Sequence, residues 1–148
     1  MVKSLDVARY AYVFCHAHSK KYSALLVQLF TKRCTRDISS EDYITYLALD
    51  ENRVVGFIGL KKKLVDNYMI LDMMHVSSQC RGKGIGRQLF DLGKEEAKKA
   101  GAKELYISAC SSEETIAFYR ATGSELTKNP IKEMAEEEPY DLQMTCPV

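Results

Sequence analysis

The feature that most limits what this chain can fold into is the stretch Gln79-Cys80-Arg81-Gly82-Lys83-Gly84-Ile85-Gly86-Arg87. Three glycines at alternate positions free the backbone for positive φ and for close approach to another molecule. An apolar run, Tyr68 to Val76, precedes the stretch and is long enough for a central strand. After it, Ile85, Leu89, Phe90, Gly93, Ala97 and Ala100 recur at helical spacing. Strand, glycine turn and helix therefore follow in that order. Free N–H groups and the positive end of a helix dipole would then sit beside Arg81, Lys83 and Arg87, which makes an anion site suited to phosphate. The plainer alternative is a turn that only caps the helix.

The glycine spacing rules out two common phosphate loops. A Walker loop, G-x-x-x-x-G-K-[ST], does not occur. The dinucleotide fingerprint G-x-G-x-x-G would need a third glycine at Arg87 or at Leu89. What fits is R-x-x-G-x-G, as Arg81, Gly84 and Gly86.

Around this loop the chain reads as one domain of 148 residues. Residues 1–35 are mostly helical in pattern, with Leu5, Ala8, Tyr12 and Cys15 spaced by three and four. Strands are expected at Tyr43–Leu49, Val54–Leu60 and Tyr68–Val76, forming an antiparallel meander. A helix over Ile85 to Ala100, stopped by Gly101, then leads to a strand at Leu105–Ala109; a strand-helix-strand crossover implies a parallel pair. Ser111 or Ser112 caps a short helix ending near Gly123. Leu126 and Tyr140–Met144 supply two last strands, with Lys132 to Glu138 as an acidic exposed loop between them. Lys61-Lys62-Lys63 reads as the solvated end of a strand.

Composition removes several function classes. Net charge is +1, from 21 basic and 20 acidic residues, which gives no reason to expect nucleic acid or an anionic membrane. No apolar run approaches the ~18 residues of a membrane span. The N-terminus lacks a secretory pattern, and five scattered cysteines without C-x-x-C read as free thiols, so a cytoplasmic location is expected. His16 and His18 lack a third ligand at metal spacing, and no metal is expected.

The loop, the strand after its helix and the segment Ser112-Glu113-Glu114-Thr115-Ile116-Ala117-Phe118-Tyr119-Arg120-Ala121-Thr122-Gly123 occur in the order of the GNAT superfamily of acyl-CoA-dependent N-acetyltransferases. That segment resembles the family's N-x-x-A-x-x-[FL]-Y-x-x-x-G. Two positions depart: Ser112 stands for the usual asparagine, and Ser124 for the aromatic after the glycine. The resemblance implies a single α/β domain of the α+β type, with a mixed, mostly antiparallel sheet and helices on both faces. It places the sheet core and acyl-CoA site at 43–146, and a helical acceptor-side segment at 1–40. It implies acetyl transfer from acetyl-CoA to a primary amine of a small molecule or a protein. The backbone N–H groups from Gly82 through Ile85 to Gly86, with Arg81, Lys83 and Arg87, would meet the pyrophosphate. Main-chain groups of Met74 and Val76 would pair with the pantetheine arm, and Ser112 would contact the cofactor. Tyr119 aligns with the family's usual acid and would sit at the thiol end; its alternative is a core aromatic, since only one of Phe118 and Tyr119 can point fully inward.

Asp72 is the candidate base on chemical grounds. It interrupts Met69-Ile70-Leu71 and Met73-Met74, where a bare carboxylate is costly. The alternative is an ion-paired or edge carboxylate. His75 is the rival base, on the opposite face by strand alternation. Cys80 and Cys110 lack the placed base that an acyl-cysteine route needs, so direct transfer is expected. A non-catalytic acyl-CoA sensor of the same fold is the competing function. Monomer and homodimer are both open.

Overall fold

The computed structural model describes residues 41–50 and 53–148. The helices expected over 1–35, with His16, His18, Cys15 and Cys34, lie outside the described residues. The described elements are β1 (Tyr43–Asp50), β2 (Arg53–Lys61), β3 (Tyr68–Val76), a 3-10 turn (Ser78–Cys80), α1 (Ile85–Lys99), β4 (Glu104–Ala109), α2 (Glu113–Ala121), β5 (Glu125–Leu126), α3 (Lys132–Glu137) and β6 (Leu142–Pro147). They build a six-stranded sheet in the order β1-β2-β3-β4-β6-β5. The sheet is mixed, as expected: β3 and β4 run parallel, and β6 is antiparallel to both β4 and β5.

The described residues fall into two compact units. One holds those up to Gly59 together with Met73–Leu89, the other Leu60–Asp72 together with Phe90–Val148. In the first, Leu47, Val55, Phe57, Ile58 and Leu89 are buried. Gly56 lets three pieces of that unit close up. A Cβ there would stand 3.0 Å from the His75 carbonyl oxygen and 3.2 Å from a Leu89 methyl. In the second unit the alternating apolar residues Leu105 and Ile107 of β4 and Met144 and Cys146 of β6 are buried, as are Phe90 and Ala97 of α1.

Both longer helices end in the same way. Past α1, Gly101 takes φ +82°, its N–H bonds the Lys98 carbonyl, and the Ala102 N–H bonds the Ala97 carbonyl. Past α2, Gly123 takes φ +89°, its N–H bonds Arg120, and the Ser124 N–H bonds Tyr119. This is the Schellman arrangement, which satisfies the last carbonyls and turns the chain sharply.

Two sequence expectations shift. The acidic stretch after Pro130 is not a loop but the short helix α3, whose Glu133 lies in the first turn where the dipole favours negative charge. The last strand begins at Leu142, not Tyr140, and runs on to Pro147, because its whole length pairs with β4 from Ala109↔Leu142 to Glu104↔Pro147. That partner is remote in sequence, so local propensity could not set the bounds.

Candidate active site

The glycine loop is held at both ends. Before it, the Ser77 N–H donates to the Val55 carbonyl at 2.8 Å, and the Cys80 N–H to the Ser77 carbonyl. Arg81 Nε donates to the Val76 carbonyl at 3.2 Å, which ties the loop to the end of β3. After it, the Gln88 N–H bonds the Gly84 carbonyl, the first hydrogen bond of α1. Gly82 and Gly84 take φ +74° and +79°, a region other residues enter only with strain. Arg81, Gly82, Lys83, Gly84 and Arg87 are exposed, and Ile85 and Gly86 partly so. An exposed turn with left-handed glycines feeding a helix N-terminus has the form that anion sites take.

The strand before the loop has an equally specific feature. Parallel pairing of β3 with β4 runs from Tyr68↔Glu104 to Leu71↔Ile107. The ladder stops there, although β3 continues to Val76 and β4 to Ala109. Met74 and Val76, the two residues proposed to pair with an extended ligand, lie on this continuation.

Asp72 is the first β3 residue past the ladder. Its side chain is 5% exposed, and Lys61 Nζ stands 3.2 Å from its Oδ1. The apolar run thus carries a charge that is paired rather than bare, as burial demands. Lys61 itself was readable only as a solvated strand end, since strand register alone aims it at Asp72. His75 stacks on Phe57, with centroids 6.2 Å apart and planes 24° off parallel.

On α2, Ser112 is the N-cap: its Oγ accepts from the Thr115 N–H at 3.3 Å and bonds Thr115 Oγ1 at 2.8 Å. The hydroxyl is thereby engaged in holding the helix start. Of the two neighbouring aromatics, Tyr119 points inward and is 7% exposed, while Phe118 is half-buried. The Tyr119 ring packs on Phe90 at 5.9 Å and Phe118 at 5.3 Å. Its carbonyl accepts from the Thr122 hydroxyl at 2.7 Å and from the Ser124 N–H at 3.0 Å. Ser124, in place of an aromatic, is itself buried and lies 3.3 Å from the Thr122 hydroxyl. The Tyr119 hydroxyl has no hydrogen-bond partner among the described residues. Burial pushes its pKa up to about 12, so the phenol stays protonated through the neutral range.

The free thiols among the described residues are the part-buried Cys80, the exposed Cys110 and the buried Cys146. No group of three His, Cys, Asp or Glu residues at metal-binding geometry occurs among the described residues. No described helix is long and apolar enough to cross a membrane. A concavity of about 730 Å³ lies at the N-terminal ends of β3 and β4, lined by Tyr68, Glu104 and Asn129–Glu133 among others. None of the sequence-predicted site residues lines it.

A sequence profile of the acetyltransferase (GNAT) family matches residues 9–123, which takes in the loop, β4 and α2. The chain belongs to the GNAT acetyltransferase family. This GNAT protein is accordingly an acyltransferase. A comparison with curated proteins finds no match. Solved structures agree on the fold. The PaiA N-acetyltransferase of Thermoplasma acidophilum, in complex with coenzyme A, superposes with a TM-score of 0.67 at 18% identity, covering 100% of this chain and 98% of that one. An aminoglycoside 6'-N-acetyltransferase complexed with coenzyme A gives 0.70 at 15% identity, with 99% and 96% covered. The ribosomal-protein-S18-alanine N-acetyltransferase of Escherichia coli gives 0.67 at 18% identity, with 100% and 93% covered.

Proposed function

We propose that this GNAT protein transfers an acetyl group from acetyl-CoA to a primary amine by direct attack. The observation that carries the reading is the end of the β3–β4 ladder at Leu71↔Ile107, followed on the same strand by the positive-φ glycine loop. A chain-like donor with amides can add to Met74 and Val76 as an extra strand, and its pyrophosphate can meet the N–H groups of Gly82 to Gly86 with Arg81, Lys83 and Arg87. Acceptors named for similar structures, an aminoglycoside and the alanine of ribosomal protein S18, are consistent with an amine.

In the proposed reaction the amine lone pair attacks the thioester carbonyl. A C–N bond forms, the C–S bond breaks, its electron pair leaves on sulfur, and the extra proton left on nitrogen passes to the thiolate or to solvent. A main-chain N–H near Met74 stabilises the oxyanion. Asp72, directly or through water, takes the proton that the ammonium must lose. Tyr119 donates to the departing sulfur. A phenol at about 12 holds its proton more tightly than a thiol near ~8.5, so full transfer in the ground state is uphill by about 5 kcal/mol. The role is filled by a hydrogen bond that tightens as charge builds on sulfur.

Thermal shift tests the donor. Acetyl-CoA at ~100 times its dissociation constant should add ~2.7 kcal/mol and raise the midpoint by several degrees, while ATP and NAD do not. No shift at saturation would remove the coenzyme A site and the reaction with it. Release of free thiol with an amine panel then tests turnover.

A further inference from the structure

A directed chain of hydrogen bonds crosses the sheet and ends on an undirected donor. The Ile131 N–H donates to the Tyr106 hydroxyl at 3.0 Å. Tyr106 donates in turn to Gln143 Oε1 at 2.7 Å, and Gln143 Nε2 donates to Ser108 Oγ at 2.9 Å. The amide orientation is fixed twice. Flipping it would leave the buried Tyr106 hydroxyl with two donors facing it and no acceptor. It would also put the amide oxygen 3.5 Å from the Asp141 carbonyl, which Gln143 Nε2 now faces. Every step therefore runs one way, and the hydrogen of the Ser108 hydroxyl has no acceptor among the described residues.

The place of Ser108 gives that hydrogen a use. The last paired residues are Ile70↔Tyr106 and Leu71↔Ile107; Asp72 and Ser108 are the next residues on the two strands and by alternation share the face of Ile70 and Tyr106. Such neighbours begin about 5 Å apart where strands are paired, and here the pairing has just ended. A carboxylate and a hydroxyl donor so spaced match a ligand with a cation and an oxygen acceptor a few ångströms apart. Nitrogen and oxygen three bonds apart are separated by roughly 3 Å.

We propose that Ser108 is a specificity-determining residue for the acceptor. It selects amines that carry a hydroxyl or carbonyl oxygen three bonds from the nitrogen, such as amino alcohols and α-amino amides. This rests on the acetyl-transfer reading and on Asp72 facing the acceptor nitrogen. Gln143 and Tyr106 act through Ser108 as positioning residues.

The test is a double ratio on the full chain. kcat/KM is measured for 2-aminoethanol and glycinamide, each relative to propylamine, in wild type and variants. The wild-type comparison cancels differences in amine basicity. Ser108→Ala should lower both ratios about five- to tenfold, the scale of one neutral hydrogen bond. Ser108→Thr, which keeps a hydroxyl, should retain most of the preference. Gln143→Met should lower the same ratios while acetyl-CoA affinity holds. Ratios within twofold of wild type in Ser108→Ala would overturn this inference and leave acetyl transfer standing. Absence of turnover with every amine, with acetyl-CoA still bound, would remove both.

Discussion

Lys61 Nζ stands 3.2 Å from the Asp72 carboxylate, joining the end of β2 to the point where β3 leaves its ladder with β4. The pair separates two roles for Asp72, as structural ion and as base. Asp72→Asn is expected to lower kcat/KM by about 10²- to 10⁴-fold, the usual weight of a general base. Lys61→Met should instead act first on stability, by about 1–3 kcal/mol, since a buried carboxylate loses a cation. Amine turnover and thermal melts of both variants check this. Wild-type turnover in Asp72→Asn would leave the carboxylate a purely structural role.

Tyr119→Phe removes only the hydroxyl that has no partner among the described residues. The ring contacts with Phe90 and Phe118 stay, so the melting temperature should change by no more than a few degrees. A fall in kcat of about 10²-fold or more, with acetyl-CoA binding within a few-fold, is the expected result. Equal kcat in the two proteins would return Tyr119 to the core.

The same phenol sets an alkaline limit. Its folded pKa, about 12, lies above the unfolded value near ~10, so the folded state binds the proton more tightly. Stability from this group is complete below pH ~10 and is lost as pH rises through about 12, amounting to roughly 2–3 kcal/mol. Denaturant unfolding between pH 9 and pH 12 should show that decline in wild type and a smaller one in Tyr119→Phe.

At the loop, the Gly84→Ala methyl would meet only Gln88 Nε2, at 4.0 Å, but the residue must hold φ +79°. It is expected to cost about 1–2 kcal/mol and to weaken acetyl-CoA binding by displacing the N–H groups. Gly56→Ala differs in cause, because its methyl would press on the His75 carbonyl at 3.0 Å. A loss of about 1–3 kcal/mol is expected there. Isothermal titration and melting of the two variants distinguish a loop defect from a packing defect.

The fold and the loop were legible in the sequence because their signals are local. Alternating glycines, an apolar run before them and helical spacing after them mark strand, turn and helix within about twenty residues. Gly101 and Gly123 likewise announced the helix ends that their positive φ now explains. Residues pointing in and out could be ranked only within one element: Phe118 and Tyr119 competed for the core, Phe90 packs against both, and Tyr119 is the more buried.

What the sequence could not decide depends on register between strands. Lys61 meets Asp72, and Ser108 meets Gln143, through pairings set by the whole sheet. No local propensity encodes such a pairing, since a one-residue slip would turn each side chain to the other face. Sequence alone determined the family, because the glycine loop, the strand after its helix and the segment through Phe118 and Tyr119 are local patterns read in order along the chain. Tertiary structure alone decided which polar side chains align across the sheet, because that alignment comes from burying the apolar faces of β4 and β6 together.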